Sequence, residues 1–308
     1  MPPASDSFRN QRIVVTGATG LVGRRLCAEL TAAGAKVIRA VRRPTQSADE
    51  LYYNGETQQI EAEKLAGVDA VVHLAGENIA AQRWTAAFKQ KIRDSRLQGT
   101  RLLAKTIADS DKPPKTFVCA SAIGYYGDRG EELLTESSPP GKDYLADVCR
   151  EWEAACQPAR DAGVRTVNLR IGVILSPDGG ALKKMLTPFK LAAGGVIGSG
   201  AQFMSWIALD DVVGAMEYAL LHEKLSGPVN ATVPRPATNR EFTKTLGRVL
   251  HRPTIFPMPA FAARLAFGEM ADALLLASTR VEPQALADAG FRFQFPDLEA
   301  ALRHLLKR

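Results

Sequence analysis

The chain has 308 residues, 46% of them hydrophobic and 23% charged, and its formal net charge is +6. This composition is typical of a globular protein with a full core, and no apolar run approaches the ~20 residues of a transmembrane helix. The basic residues are dispersed and are not interleaved with aromatic ones, so we predict neither a nucleic-acid nor a membrane partner, and an anionic small ligand fits the charge equally well.

The first ten residues, MPPASDSFRN, lack the apolar segment of a signal peptide and predict a short frayed leader. Apolar runs and helical patterns then alternate, which indicates βαβ units and a parallel sheet covered on both faces. We therefore predict an α/β fold with a Rossmann-type, doubly wound parallel sheet. The predicted strands span residues 12–16, 36–41, 69–74, 115–120 and 164–171, and the predicted helices span residues 21–33, 84–107 and 143–159.

Clusters of glycine, proline and serine become more frequent after about residue 175. We therefore divide the chain into a dinucleotide-binding domain at residues 11–175 and a smaller, partly interwoven C-terminal lobe at residues 176–308, which would select the substrate. A strand near residues 229–233 is expected to return to the sheet. Trp206 is expected to pack in the core, with a place in the lining of a substrate cleft as the alternative, and the run Leu274-Leu275-Leu276 is expected to be a buried helix face.

A glycine-rich turn lies between the first predicted strand and the first predicted helix. Gly17 permits a tight turn, Gly20 removes a side chain where a pyrophosphate must approach the backbone, and Gly23 lets the helix pack against the strand. The unpaired N–H groups at the start of the helix favour an anion there. The alternative is a glycine-rich turn without a ligand, but the order of strand, turn and helix favours a dinucleotide. The other residues predicted to contact the dinucleotide at this turn are Thr16, Thr19, Leu21 and Val22.

The end of the second predicted strand distinguishes NAD from NADP. An acidic residue there would hold the adenosine ribose hydroxyls, whereas a guanidinium group suits a 2′-phosphate. This chain has Arg42 and Arg43, and Asp49 is the first acid that follows them. We therefore predict NADP, or NADPH, as the cofactor. The alternative is that both arginines are solvated on a loop.

Other kinds of site find little support in the sequence. The four histidines show no metal-ligand spacing, so we predict no metal site, and the segment 198–200 is not the GxSxG turn of a hydrolase. His73 is expected to be a core residue or to lie near the cofactor. The four cysteines form no CxxC pair, which predicts free thiols and, without an export signal, a cytoplasmic protein.

These motifs resemble those of the extended short-chain dehydrogenases/reductases. Residues 16–23 look like the TGxxGxxG turn of that superfamily, and residues 96–103 look like its NxxGTxNLL helix, with Arg96 in place of the usual asparagine. The resemblance is most specific for an atypical subgroup, the epimerase family proteins that are similar to NAD-dependent epimerases/dehydratases and have their own C-terminal region, here residues 253–308. It extends from about Arg12 to Leu306. Further segments that carry it are HLAGENI (73–79), SAIGYYGD (121–128), LRIGVILSPDGGAL (169–182), GSGAQFMSWI (198–207) and GEMADALLLASTRVEP (268–283).

The resemblance also implies further site residues. Leu74, Ala75 and Gly76 would line the adenosine side of the cofactor. Arg96 would meet the cofactor or an anionic substrate. Lys91 precedes Arg96 by five residues on the same predicted helix and is a further candidate for contact with the cofactor. The alternative is that Lys91 lies on a solvated face of this helix.

The chemistry of the superfamily uses a tyrosine and a lysine spaced as YxxxK, in which the lysine lowers the pKa of the tyrosine. If Tyr144 is the tyrosine, Val148 stands at the lysine position, and a shift of one residue places Leu145 and Cys149 there, so neither register has a lysine. Tyr144 could then be a packing residue, and Tyr125 could belong to a structural turn. The residues that we nominate for catalysis are Ser121, Tyr125 and Tyr144.

Two functions therefore remain open. The first is an NADP-dependent oxidoreductase or epimerase of atypical mechanism that acts on an unknown small molecule. The second is an NADP-binding regulatory protein that has lost catalysis, linked to cell division as some members of the subgroup suggest. The missing lysine favours the second, whereas the intact cofactor motif and the retained Ser121 and tyrosines keep the first open. The resemblance also suggests a homodimer.

Overall fold

An eight-stranded sheet forms the centre of the protein in a computed structural model that describes residues 6–308. The strands are β1 (Arg12–Thr16), β2 (Lys36–Val41), β3 (Glu50–Asn54), β4 (Gln59–Ile60), β5 (Ala70–His73), β6 (Thr116–Ala122), β7 (Leu133–Leu134), β8 (Arg165–Ile171), β9 (Val173–Leu175), β10 (Phe203–Met204), β11 (Trp206–Ala208), β12 (Gly227–Ala231), β13 (Ala237–Thr238) and β14 (Arg280–Val281). The helices are α1 (Leu21–Ala32), α2 (Ala86–Ala108), α3 (Tyr144–Ala154), α4 (Gln157–Asp161), α5 (Gly180–Lys190), α6 (Leu209–Leu221), α7 (Asn239–Leu250), α8 (Ala260–Phe267), α9 (Glu269–Ala271), α10 (Gln284–Asp288) and α11 (Leu298–Leu306).

The order of strands in this sheet is β12-β8-β6-β5-β1-β2-β3-β4. Neighbouring strands are parallel, except that β4 runs antiparallel to β3. The prediction of a doubly wound, Rossmann-type parallel sheet is therefore confirmed. After β1, the strands β2, β3 and β4 are added one after another on one side of β1, and β5 then pairs with the other side of β1. This switch opens a crevice at the carboxyl ends of β1 and β5, where sheets of this kind bind ligands.

Both faces of the sheet are covered, which explains the continuous apolar run of β1. Ile13 and Val15 join a buried cluster that includes side chains of α1 and α6, whereas Val14 joins a second cluster that includes side chains of α2, α3 and α4. Successive side chains of a strand point to opposite faces, so a strand covered on both sides needs apolar residues at every position. A third buried cluster lies among α5, α7 and α11, in the part of the chain that we predict to be the C-terminal lobe.

The two strands β3 and β4 lie where the sequence predicted none. They are short, and β3 begins with the charged Glu50, so they lack the long apolar run that revealed the other strands. The helix predicted over residues 143–159 is two helices, α3 and α4. The break falls at Ala155 and Cys156, and Pro158 lies in the first turn of α4, where its missing N–H group costs nothing.

Two expectations about apolar segments had different outcomes. Trp206 is fully buried, as expected. The run Leu274-Leu275-Leu276 is not a buried helix face, because it forms a π-helical turn, Asp272–Leu276, in which no residue is buried. Half of the predicted leader, residues 1–5, lies outside the described residues. Phe8 is fully buried against the α1 side of the sheet, so the chain does not fray from this residue onward.

All four cysteines are free thiols, as predicted; three of them are buried and Cys27 is half-buried. Within residues 6–308, no helix combines the length and the apolar character that crossing a membrane requires. The same stretch of chain holds no group of three or more histidine, cysteine, aspartate or glutamate side chains arranged to bind a metal ion.

Glu217 of α6 is a buried carboxyl group whose Oε1 has no hydrogen-bond partner among the described residues. Burial raises its pKa to about 7, the nearby Glu29 adds to the rise, and Arg25 opposes it. The folded protein therefore keeps a proton that the unfolded chain releases near its usual pKa of 4.5, so stability falls as the pH rises from 4.5 to about 7 and stays lower above that.

We expect the Glu217→Gln variant to gain about 1 kcal/mol of unfolding free energy at pH 8, after solvent screening is allowed for, and to gain almost nothing at pH 4.5. Thermal unfolding of both proteins at the two pH values tests this. A gain of the same size at both values would show that ionisation of Glu217 is not its cause.

Candidate active site

The glycine-rich turn joins β1 to α1 at the crevice, and each glycine has its own geometric reason. Gly17 has a φ of +67°, and a Cβ atom there would lie 2.8 Å from the carbonyl carbon of Leu74. A Cβ atom at Gly23 would lie 2.2 Å from the carbonyl oxygen of Gly17, so a side chain would push the helix away from the turn. Among the described residues, a Cβ atom at Gly20 would meet only that same oxygen, at 3.2 Å, which leaves the outer side of the turn open.

The start of α1 can hold an anion at this open side. The helix has no side-chain cap at Gly20 and no acidic residue in its first turn. The N–H groups of Leu21, Val22 and Gly23 therefore lack helical acceptors, and the helix end carries partial positive charge. Thr19 and Gly20 are exposed beside them. These predicted contacts lie together on one surface, which fits the pyrophosphate of a dinucleotide.

Thr16 is fully buried and holds the ends of β1 and β5 together. Its hydroxyl oxygen accepts the N–H groups of Leu74 (3.1 Å) and Ala75 (3.2 Å) and lies 2.7 Å from Nδ1 of His73. Because both lone pairs are used, the hydroxyl donates to Nδ1, and His73 donates from Nε2 to the hydroxyl of Thr100 at 3.0 Å. Burial lowers the pKa of His73 to about 4, which keeps the ring neutral. The Thr16 side chain thus positions the turn, and contact of this residue with the cofactor stays a prediction.

The two arginines after β2 have different surroundings. Arg43 makes two hydrogen bonds to the carboxylate of Glu50, at 2.9 and 2.6 Å, and these hold the pKa of Glu50 below its usual value. Arg42 is exposed, and none of the residues in 6–308 gives it a hydrogen bond or an ion pair. Arg42 is therefore the guanidinium group available to a 2′-phosphate, whereas Arg43 already has an anionic partner.

Arg96 of α2 lies under the loop that follows β5. Its two Nη atoms donate to the carbonyl oxygens of Ile92 and Glu77, both at 3.0 Å, and a Cβ atom at Gly76 would lie 3.5 Å from its central carbon. The guanidinium carbon is 5.0 Å from the ring centre of Trp152. Burial lowers the pKa of Arg96, and no carboxylate of the described chain forms an ion pair with it. The crevice therefore contains a fixed cation without an anionic partner.

Lys91 does not share this position. Its side chain is 63% exposed, and its ammonium group pairs with Glu77 at 3.0 Å. This contact fits the alternative of a solvated helix face better than the predicted cofactor contact. Leu74, Ala75 and Gly76 lie in the loop that follows β5, where Leu74 and Ala75 are close to Gly17, and their contact with adenosine stays a prediction.

Ser121, at the end of β6, is 3% exposed and belongs to a buried ionic network. Its hydroxyl donates to Glu153 at 2.7 Å, and the same carboxylate receives two hydrogen bonds from Arg170, at 2.8 and 2.9 Å. Burial lowers the pKa of Arg170, but contact with Glu153 more than offsets this, and its pKa lies above the usual value. The Ser121 hydroxyl thus already donates to a protein acceptor, and its predicted catalytic role stays a prediction.

Arg170 also organises the two tyrosines of the 3-10 turn Ile123–Tyr126. It donates to the hydroxyl of Tyr126 at 2.9 Å, and Tyr126 donates to Asn230 at 2.7 Å. Burial raises the pKa of Tyr126 to about 12. The guanidinium group stacks 3.4 Å from the ring centre of the half-buried Tyr125. Among the described residues, the Tyr125 hydroxyl has no hydrogen-bond partner, so Tyr125 is the nominated catalytic residue whose hydroxyl is still available.

Tyr144, the first residue of α3, packs against the start of α2. Its hydroxyl donates to the carbonyl oxygen of Lys89 at 2.5 Å, and the Lys89 ammonium group lies 4.6 Å from the ring centre. The Trp84 ring meets it edge to face, with the centroids 5.4 Å apart. Burial raises the pKa of Tyr144 to about 12, although the charge of Arg96 opposes the rise. At neutral pH Tyr144 therefore keeps its proton and is a poor general base.

A cleft of about 520 Å³ opens beside Tyr144, between α2, α3 and the C-terminal region. An ion pair of 2.7 Å between Lys89 and Glu269 joins α2 to α9 across it. Leu276 lines the neighbouring recess, which explains why the leucine run is not buried in the core. The lining residues are Trp84, Thr85, Ala86, Lys89, Gln90, Arg93, Tyr144 and Glu269.

Sequence reasoning missed Glu153, Glu50 and the Lys89–Glu269 pair. Glu269 lies in one of the segments that carry the resemblance, but no motif assigns a role to these residues, and each meets its partner through the fold. One signal was available for Glu153. Arg170 ends an apolar strand, and a buried arginine needs a buried anion, so a carboxylate on a covering helix could have been expected.

Comparison with known proteins gives two family matches. Residues 13–231 match the model described as NAD dependent epimerase/dehydratase family, and residues 258–305 match a domain of unknown function, DUF1731. The chain is 44% identical over 299 residues to Epimerase family protein Mb2239 of Mycobacterium bovis, covering 97% of this chain and 99% of the relative. It is 37% identical over 301 residues to Epimerase family protein SDR39U1 of Homo sapiens, covering 96% and 99%.

Two solved structures are also similar. The crystal structure of human SDR39U1 (isoform 2) with NADPH has a TM-score of 0.89 and 35% identity, and the match covers 97% of this chain and all of that one. The nucleoside-diphosphate sugar epimerase from Corynebacterium glutamicum has a TM-score of 0.80 and 38% identity, and the match covers 96% of this chain and 58% of that one.

Proposed function

The chain belongs to the NAD dependent epimerase/dehydratase family, and from this we propose that it is an NADPH-dependent oxidoreductase or epimerase of atypical mechanism. The observation that carries the proposal is the open glycine-rich turn at the start of α1, with the exposed Arg42 beyond the neighbouring strand. The human relative crystallised with NADPH, which is 35% identical over nearly the whole chain, supports the same cofactor here.

NADPH, when bound, supplies a hydride at its nicotinamide ring. The first turn of α1 would hold the pyrophosphate, and Arg42 would hold the 2′-phosphate. We assign proton transfer to Tyr125, because the hydroxyls of Ser121 and Tyr144 already donate to protein acceptors. The cleft beside Tyr144, which Glu269 also lines, would receive a small-molecule substrate.

A second candidate function is NADPH-binding regulation without catalysis. It is favoured by the committed hydroxyls of Ser121 and Tyr144 together with the missing lysine. Only the enzyme would transfer a hydride between the cofactor and a substrate. We would incubate the protein with NADPH deuterated at C4 and a panel of carbonyl compounds, and separately with NADP⁺ and nucleotide sugars deuterated on the sugar ring, and follow the label by mass spectrometry. Transfer of deuterium between the cofactor and any of these compounds supports the enzyme, and tight binding without transfer across both panels favours the regulator.

The Arg42→Ala variant tests the cofactor assignment. We expect it to weaken NADPH binding about 10- to 100-fold and NADH binding less than about twofold, because only NADPH carries the 2′-phosphate. Calorimetric titration measures both affinities. The matched control is Arg101→Ala, which removes an exposed arginine of α2 and should change neither. Equal losses for NADPH and NADH in the Arg42 variant would rule out the 2′-phosphate contact.

A further inference from the structure

The tyrosine–lysine spacing of the superfamily leaves a cation missing from α3 in this chain. The two candidate positions hold Val148 and Cys149, and both side chains are buried. Cys149 and Trp152 lie one helical turn apart and share a face of α3. A positive charge that meets this face must therefore come from another element.

Arg96 brings such a charge from α2. Its guanidinium carbon lies 5.0 Å from the ring centre of Trp152. Burial raises the pKa of Cys149 and of Tyr144, and the charge of Arg96 acts in the opposite direction on both pKa values. Arg96 therefore influences two further residues of α3. Arg96 thus stands against the helix face from which the lysine of the YxxxK motif would project.

The Arg96 side chain is also held in place and incompletely used. Two of its five N–H groups donate to the carbonyl oxygens of Ile92 and Glu77. The other three have no acceptor among the described residues 6–308. None of these donors is a buried polar atom without a partner, so they are open to water, and the acceptors of a bound ligand could take its place.

The sheet order tells which part of a dinucleotide these donors would meet. The pyrophosphate site follows β1, Arg42 follows β2 on one side of it, and the loop over Arg96 follows β5 on the other side. Neighbouring strands are about 4.8 Å apart. Arg42 and Arg96 therefore lie on opposite sides of the pyrophosphate site, so a cofactor with its adenosine phosphate at Arg42 extends its nicotinamide half toward Arg96.

We propose that Arg96 replaces the missing lysine by donating hydrogen bonds to the hydroxyls of the nicotinamide ribose and by placing a positive charge beside the reacting groups. This rests on the proposed function, because it requires a dinucleotide in the crevice. The substitution of arginine for the asparagine of related sequences then compensates for the lost lysine, from a different helix.

Calorimetric titration with NADPH and with 2′,5′-ADP tests the proposal, because the second ligand has the adenosine phosphates and lacks the nicotinamide ribose. We expect Arg96→Ala to weaken NADPH binding about tenfold or more and to leave 2′,5′-ADP binding within about twofold. Arg96→Lys should recover part of the NADPH affinity, since a lysine keeps the charge. Arg42→Ala should weaken both ligands and so serves as the opposite control.

The outcomes separate the two proposals. If Arg96→Ala weakens neither ligand, or weakens both equally, the ribose role of Arg96 is wrong while the proposed function stands. If the unmodified protein binds neither NADPH nor 2′,5′-ADP, the proposed function fails and the role of Arg96 fails with it. If Arg96→Ala does not fold, Arg96→Lys is the deciding variant. A loss of NADPH affinity of less than tenfold, with the affinity for 2′,5′-ADP unchanged, supports the proposal. Equal losses of affinity for NADPH and for 2′,5′-ADP, or no loss for either ligand, overturn it.

Discussion

The Glu153→Ala variant is expected to lose about 3–5 kcal/mol of unfolding free energy, because it leaves the guanidinium group of Arg170 buried without a counter-charge. The Arg170 side chain is only 3% exposed, and Glu153 is its ion-pair partner at 2.8 Å. The hydroxyl of Ser121 loses its acceptor as well. Urea denaturation followed by circular dichroism measures the loss.

The control for this variant is Asp147→Ala on the same helix. Asp147 pairs with Arg150 at 2.8 Å, but both side chains are more than half exposed, so we expect a loss of about 0.5 kcal/mol or less. A loss for Glu153→Ala as small as that of the control would mean that Arg170 finds water or another acceptor. The network would then not be the structural support of the Tyr125–Tyr126 turn.

The Gly23→Ala variant should lose NADPH affinity by about 100-fold or more, since the new Cβ atom, 2.2 Å from the carbonyl oxygen of Gly17, forces α1 away from the turn. The N–H groups that would hold the pyrophosphate then no longer converge, and each charge-assisted hydrogen bond is worth about 1.5–3 kcal/mol. Calorimetric titration with NADPH measures the effect.

Gly214 of α6 serves as the control for a glycine-to-alanine change within a helix. At Gly214 of α6 a Cβ atom would make an ordinary contact, 3.7 Å from the ring of Phe291. Gly214→Ala should therefore keep NADPH binding and gain about 0.5–1 kcal/mol of stability from the better helix former. Unchanged NADPH affinity in Gly23→Ala would show that the turn tolerates the helix shift or that the cofactor binds elsewhere.

The central strands could be predicted from the sequence because burial on both faces imposes a continuous apolar pattern. Residues 12–16 and 36–41 were predicted with the bounds that the structure shows. The outer strand β3, which is followed only by the two-residue β4 at the edge of the sheet, was missed because it has only Leu51 and Tyr53 buried as apolar groups. Outer strands thus carry a weaker signal than central ones for the same physical reason.

The candidate site divides in a similar way. The glycines of the turn are read from the sequence because backbone geometry restricts their positions locally. The partners of Arg43 and Ser121 could not be predicted from the sequence, because Glu50 and Glu153 contact these residues only in the folded chain. Residue type and spacing thus predicted where a dinucleotide would bind. Which hydroxyls are available for chemistry depends on contacts between distant segments.

The position of β12 in the sheet has a consequence for how the chain is made. Gly227–Ala231 pairs with β8, and the core on the α1 side takes side chains from α6 and from Leu286. During synthesis the first 175 residues therefore leave the ribosome with one sheet edge unpaired and with one face covered only in part, by α1. Such long-range pairing slows folding and leaves strand edges open to aggregation. Synthesis must reach Ala231, more than fifty residues later, before β8, which already pairs with β6, can pair with its second neighbour β12.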